Sequence, residues 1–497
     1  MAERIHSGRD LSVPREEQEH VKVDEVCNGT LTLEEDQQIL RRIDRWLLPA
    51  MALTYFFPFL DKSAVALTSI LGLRDGLNPR RGDYSWLSGV YYCGNLVASY
   101  PAALLMVRWR VGKGITMSVL AWGIILMFTA IVFNADFLLA NRFFLGVAEA
   151  SIAPGLTLVV SMWYKRSEQP LRHAAWFLGN TCAGIIGGFL ASGFAYVKSI
   201  EPWKAAFLTL GGASMVWSVG VYFLLPDTLM EARFLNEENR EKAVLRVKEN
   251  MTGIKSDKIK WGQMEEAVLD AKTWMLIALQ LASSIPNGAV TAFSSIAVSG
   301  IGLNMFDTLL LSCAAFVFRL ALVLLTTGGS TYFADSRTYF MSFNYAVGLT
   351  GSAMVQYTAA QNGWTRFVAS LLAGGHSANF PLIMSLISGN FGGFTKKATV
   401  IALSFIAYCT GNIIGPQLIP ASDAPSYRSA FIALMVCLTV GFAMCWVIRF
   451  HLIWENGRRD AVVSAEEVAA FEEALQGVMV NLTDMTDKQI PQFRYVY

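Results

Sequence analysis

The 497-residue chain is 54% hydrophobic, 12% aromatic and only 16% charged, where an ordinary soluble domain carries about 25% charged residues, which excludes a disordered chain, a collagen-like chain and a conventional soluble enzyme. With 40 basic and 39 acidic residues the net charge is +1, so no overall basic field points to nucleic acid as a partner. The seven cysteines include no C-x-x-C pair and six lie in apolar runs, where a thiol acts as a small hydrophobe; no disulfide, no metal site and no cofactor is expected.

Residues 1–45 are polar and charged, lack the pattern of a cleavable signal, and are expected to form a cytosolic tail. Twelve segments then reach the roughly 20 apolar residues that a spanning helix needs. They are 46–69, 84–107, 114–134, 137–163, 172–197 and 203–225, then 273–299, 306–328, 338–358, 364–388, 397–419 and 427–449. The expected fold class is all-α integral membrane, with 12 transmembrane helices in two six-helix halves, 46–225 and 273–449. A charged linker, 226–272, joins the halves and should hold short amphipathic helices near the membrane. Residues 450–497 form a second cytosolic tail.

An even number of spans puts both termini on one side. Arg41, Arg42, Arg45, Arg108, Arg110, Lys113, Lys165, Arg166, Arg172 and the basic linker share that side, so the positive-inside rule makes it cytosolic. The sequons at Asn28 and Asn481 then face the cytosol and stay unglycosylated. Two such halves can rock about a site near the membrane midplane.

Ionisable side chains inside spans cost roughly 2.5–3.5 kcal/mol each on insertion scales and mark functional sites. In span 1, Asp61 and Lys62 are adjacent and point about 100° apart. One is expected to meet Arg142 or Glu149 and the other to line a cavity, with Lys62 attracting an anionic substrate; the other reading is that Lys62 snorkels to the surface. In span 4, Arg142 and Glu149 lie seven residues apart on one helical face. A carboxylate in a poorly hydrated cavity holds its proton more readily, and a neighbouring arginine opposes this. Substrate binding can shift that balance and link proton uptake to transport, whereas the plainer reading is a salt bridge that locks one conformation. Arg319, mid-span on helix 8, presents a fork suited to a carboxylate. His376, mid-span on helix 10, could titrate near neutral pH or be a packing residue. Tyr91, Tyr92, Asn95, Asn180, Asn287, Asn379, Asn412 and Gln417 are uncharged candidates for cavity contacts, or interhelical glue. Gly184 to Gly188 and Gly411 to Gly415 fit G-x-x-x-G and suggest close packing. Pro154, Pro286, Pro381 and Pro416 are expected to kink spans 4, 7, 10 and 11.

These residues carry a resemblance over nearly the whole chain from about residue 45. Phe59-Leu60-Asp61-Lys62-Ser63-Ala64, the run Arg142 to Ala150 with Ala153-Pro154-Gly155, Ser161 to Arg172, Leu225-Pro226-Asp227, Tyr408 to Gln417, Asp423 to Tyr427 and the ending Phe493-Arg494-Tyr495-Val496 occur in order. The chain resembles fungal major facilitator superfamily transporters of the allantoate permease group, in the anion:cation symporter family. The resemblance implies secondary active transport of a small organic anion, often driven by protons, at the plasma membrane, and it matches the Arg and Glu of helix 4 to Arg142 and Glu149.

Two places depart from the pattern. The loop Arg108 to Lys113 lacks the Asp of the superfamily's usual gating loop, and a partial version appears as Ala334-Asp335-Ser336-Arg337. Asp61, Asp335 and Arg337 are therefore the gating candidates. Phe394 stands where the group more usually has His, which removes a titratable group and argues against close substrate equivalence with well-characterised members. Import and export use the same machinery, so an exporter of a pathway metabolite is the alternative. A nutrient sensor on the same scaffold would be favoured by long tails, which this chain lacks. The five scattered histidines and the absence of a nucleophile motif or P-loop speak against an enzyme or a primary pump.

Overall fold

The computed structural model describes residues 31–68, 83–132, 134–194, 196–197, 199–247, 250, 258–299, 305–358, 362–419, 427–463, 468–469, 471 and 484–497. The two sequons and Asp423 to Ser426 lie outside them. Every regular element among the described residues is helical.

Helix α1, Leu33–Thr68, starts well before the apolar run. A reciprocal cap explains the early start: Thr32 Oγ1 accepts from the Glu35 amide at 3.3 Å, and Glu35 Oε2 accepts from the Thr32 amide at 3.0 Å. Glu34, Glu35 and Asp36 add negative charge to the first turn, where the helix dipole favours it. Next come α2 (Asp83–Arg108), α3 (Val111–Phe128), α4 (Ala135–Glu149), α5 (Ile152–Trp163), α6 (Gln169–Phe194) and α7 (Pro202–Leu224). The linker holds α8 (Glu237–Val247) and α9 (Trp261–Leu269). The last group is α10 (Ala271–Ser299), α11 (Met305–Tyr332), α12 (Arg337–Tyr357), α13 (Gly363–Ala373), α14 (Asn379–Asn390), α15 (Phe394–Gln417) and α16 (Arg428–Val462).

Eight helical stretches among the described residues are long and apolar enough to cross a membrane, and α9 with α10 makes a ninth, bent by 66°. Helices α1, α6 and α12 are long too, at 36, 26 and 21 residues. Their apolar character is diluted by Asp61, Arg172, Asn180 and Arg337, all buried against protein.

Helices α1 and α6, α2 and α4, and α3 and α7 pack as pairs in the first group; α10 and α15, and α12 and α16, do so in the last. Between groups, α2 packs on α15 and α6 on α11 and α14. The fourth stretch of each group is broken. Ala150 and Ser151 separate α4 from α5, and a 3-10 turn, Gly374–Ala378, separates α13 from α14. Pro154 and Pro381 sit in the first turn after each break, where a missing amide proton costs nothing. The expected kinks at Pro286 and Pro416 do not interrupt α10 or α15.

The segment 484–497 is folded into one end of the bundle. Ile490 and Phe493 are fully buried and Tyr495 nearly so. Asp487 is its anchor. It pairs with Lys272 and Lys396, each at 2.7 Å, accepts from the Gly392 amide at 3.2 Å and from Tyr495 Oη at 2.8 Å. Burial alone would raise its proton affinity, but the two ammoniums overcome this and hold the Asp487 carboxyl well below the usual carboxylate range. A carboxyl depressed on folding stabilises the fold above its unfolded pKa of about 3.9 and loses that contribution as the pH falls. Melting curves should therefore show the Asp487 contribution unchanged from neutral pH down to about pH 5. Asp487→Asn should cost roughly 3 kcal/mol throughout that range by leaving buried ammoniums short of charge.

Candidate functional site

The site forms where α1, α2 and α4 meet. A Cβ on Gly94 would collide with the Phe143 carbonyl, and one on Gly146 with the Tyr91 carbonyl. These two glycines let the α2 and α4 backbones touch, which sets Tyr91 against Glu149. Gly146→Val should separate the helices and cost about 1–3 kcal/mol, read as a lower melting temperature and a smaller monodisperse fraction in detergent.

Glu149 is the last residue of α4, at the break. Its Oε1 lies 2.7 Å from Lys62 Nζ, and Tyr91 Oη donates to its Oε2. Arg142, two turns earlier, gives Nη1 to Asp61 Oδ2 at 2.9 Å, with its guanidinium 5.3 Å from the Phe207 ring centre. Asp61 and Lys62 are thus both engaged, each by a different charge of α4. The roughly 100° between adjacent helical residues spreads them to match Arg142 and Glu149 along that helix. The sequence pointed to Arg142 as the cation beside Glu149; in the structure Lys62 holds that place and Arg142 is neutralised by Asp61.

The four charges sum to zero, which is what makes their burial tolerable. Exposure separates the members: the Lys62 side chain is 24% exposed and that of Glu149 only 6%. The ammonium is thus the more accessible member of the pair. Lys62 Nζ also lies 4.8 Å from the centre of the Tyr91 ring.

From Tyr91 a line of aromatic rings crosses between the two groups of helices. Tyr91 contacts Tyr92 at 5.2 Å between centres, and Tyr92 contacts Tyr408 of α15 at 6.0 Å. Tyr408 meets Phe380 of α14 at 5.7 Å, and Phe380 stacks on Phe177 of α6 at 5.3 Å. Arg319 on α11 extends over Phe316, 5.7 Å from the ring centre, and its buried Nε finds no acceptor. Phe316 itself fills the space beside Gly184 and contacts Phe59 of α1 at 6.1 Å.

The remaining candidates are placed as follows. His376 is fully buried in the 3-10 turn, with Nδ1 donating to the Ala373 carbonyl at 2.7 Å. Asn412 accepts from Asn287 Nδ2 of α10 at 2.9 Å, which joins the two helices, and donates to the Tyr408 carbonyl one turn earlier on its own helix at 2.8 Å. Asn180 is buried on α6 with Oδ1 unpaired. Gln417 is exposed at the end of α15. Asp335 lies in the exposed turn before α12 at φ 55°, and its carbonyl accepts from Arg449 at 2.8 Å. Arg337 turns inward to donate to the carbonyls of Ser385, at 2.8 Å, and of Arg166. Tyr408 and Arg166 make contacts between the two groups of helices that no intramembrane charge signals; Tyr408 is visible only as part of the Tyr408 to Gln417 motif.

Residues 51–416 match the Major Facilitator Superfamily. The chain belongs to this superfamily. An uncharacterized transporter of Schizosaccharomyces pombe is 32% identical over 469 residues, covering 94% of this chain and 87% of the relative. The allantoate permease of Saccharomyces cerevisiae is 27% identical over 479 residues, covering 94% and 87%. Among solved structures, the human organic anion transporter MFSD10 superposes with a TM-score of 0.56 at 10% identity, covering 86% of this chain and 99% of that one, a likeness of fold. The protein is a multi-pass membrane transporter of the major facilitator superfamily, similar to fungal transporters that include an allantoate permease, and it is not an enzyme.

Proposed function

We propose that this transporter moves a small organic anion, recognised through a carboxylate, together with a proton, by alternating access between two six-helix halves. In this reading α1, α2, α3, α4 with α5, α6 and α7 are the first six spans. The last six are α10, α11, α12, α13 with α14, α15 and α16. The support is reciprocal contact: the second and fifth spans of one group meet the fifth and second of the other. Both termini are cytosolic in this reading, and the membrane is the plasma membrane.

The observation that carries the coupling is the pairing of Glu149 with Lys62 rather than with Arg142. A substrate carboxylate reaching the more exposed Lys62 competes with Glu149 for the ammonium. A buried carboxylate stripped of its counter-cation takes up a proton. One anion then enters with one proton, and the site stays neutral. Arg319, with an unsatisfied donor, would hold the far end of the substrate from the second half. The aromatic line from Tyr92 to Phe177 would close the path beneath it. The same exchange serves import or export.

The test is uptake and efflux of radiolabelled organic acids in sealed vesicles, with and without an inward proton gradient. Proton-stimulated uptake supports the reading. Movement of every transported acid at one rate whatever the gradient would remove proton coupling. Lys62→Met should raise the half-saturating concentration of a transported acid by about tenfold, the equivalent of one lost charge-assisted contact. An unchanged value would take Lys62 out of substrate recognition.

A further inference from the structure

The segment 484–497 is bound far more densely than a trailing end requires, and it is seated on the seam between the two groups of helices. Its floor is the loop between α14 and α15. A Cβ on Gly392 would collide with the backbone at Thr486 and Asp487, and Gly393 has a φ of 80°, a left-handed conformation that glycine adopts without strain. The loop is thus shaped so that the segment can lie directly on its backbone. The Phe394 amide donates to Asp484 Oδ1 at 2.6 Å. Asn390 exchanges two hydrogen bonds with Val496, each 2.8 Å. Arg459 of α16 reaches the Asp487 carbonyl at 2.9 Å and Tyr495 Oη at 2.7 Å.

All those contacts tie the segment to the second group of helices. Among the described residues, the hydrogen bond and ring contact to the first come from one side chain. Arg166, in the loop between α5 and α6, stacks its guanidinium 3.8 Å from the Phe493 ring centre and donates Nη1 to the Arg494 carbonyl at 2.8 Å. Its own carbonyl accepts from Arg337 of the second group. Its amide donates to Asn250 Oδ1 in the linker at 2.9 Å. Close by, a second bridge runs from α6 to α14. His173 Nδ1 accepts from Trp176 Nε1 at 3.2 Å, so Nε2 bears the proton and lies 3.0 Å from Ser388 Oγ; that hydroxyl donates to Gln169 Oε1 at 2.8 Å.

We propose that Asp484 to Tyr497 is a latch: carried by the second half, it clasps Arg166 of the first and holds this face of the transporter closed. Opening toward that face requires Arg166 to leave Phe493 and Arg494, whatever the substrate. The gate here is a cation on an aromatic ring and two carbonyls, in place of an Asp335–Arg337 charge pair.

Hydrogen–deuterium exchange of the full-length protein in nanodiscs tests this. Phe493→Ala removes the ring under Arg166. Gly392→Ala lifts the segment from its floor without altering the segment itself. Both should speed amide exchange about tenfold, the effect of losing one desolvated cation–π contact, in 164–170 and 385–394 as well as in 484–497. Exchange in α3 and α7 should stay as in the parent. Faster exchange confined to 484–497, with both seam segments as slow as before, would overturn the latch. Should Phe493→Ala lose its fold, shown by acceleration in α3 and α7, Gly392→Ala and the milder Phe493→Leu carry the same comparison.

Discussion

Glu149→Gln should abolish accumulation driven by a proton gradient and leave substrate exchange intact. Glutamine keeps the shape of the side chain and can still accept a hydrogen bond from Lys62 or Tyr91, so the helix contact at the α4 break survives. It cannot take up a proton. With one proton per anion, each pH unit of gradient supports about tenfold accumulation, because one unit of proton potential is worth about 1.4 kcal/mol. The variant should lose that whole factor. Counterflow, in which labelled substrate enters against unlabelled substrate inside, needs no net proton movement and should persist. The two assays run on the same vesicles separate coupling from folding. Gradient-driven accumulation at the parental level in the variant would place the coupling group elsewhere and sink the ion-pair exchange.

Much of this site was legible in the sequence because charge inside an apolar run is costly and therefore rare. Asp61, Lys62, Arg142, Glu149 and Arg319 stood out on that ground alone, and the structure brings the first four into two ion pairs. What the sequence left open was the pairing. Seven-residue spacing on α4 says that Arg142 and Glu149 share a face, but the partner of each depends on how α1 rotates and rises beside α4. That is set by Gly94, Gly146 and the packing of α1 on α6, which are properties of four helices together. The helix breaks were legible only in part. Prolines marked spans 4 and 10 correctly, while Pro286 lies in a continuous helix because neighbours can satisfy the freed carbonyl. The folded segment 484–497 gave least warning. Its short, mixed sequence has no amphipathic period, and its order comes from partners hundreds of residues away, such as Arg166 and Lys272. The early start of α1 at Leu33 follows from the cap of Thr32 and Glu35, a local signal that the search for apolar runs passes over.

Arg142→Met should be the most damaging single change at the site. It leaves Asp61, 1% exposed on its side chain, as a buried carboxylate without its cation. Removing one partner of a buried pair costs about 3–5 kcal/mol, whereas replacing both by apolar groups of similar volume is often neutral. The variant should therefore show a large fall in melting temperature and little folded protein. The double variant Asp61→Leu with Arg142→Met should recover most of that loss. If single and double variants melt alike, the two residues do not act as a pair. Transport by the rescued double variant then divides the quartet by role. Gradient-driven uptake that survives in it assigns Asp61 and Arg142 to holding α1 against α4, with coupling carried by Lys62 and Glu149 alone. Loss of uptake with stability restored makes the neutral pair part of the electrostatic field that Glu149 needs in order to release its proton, and Arg142 then acts on coupling at a distance of two helical turns.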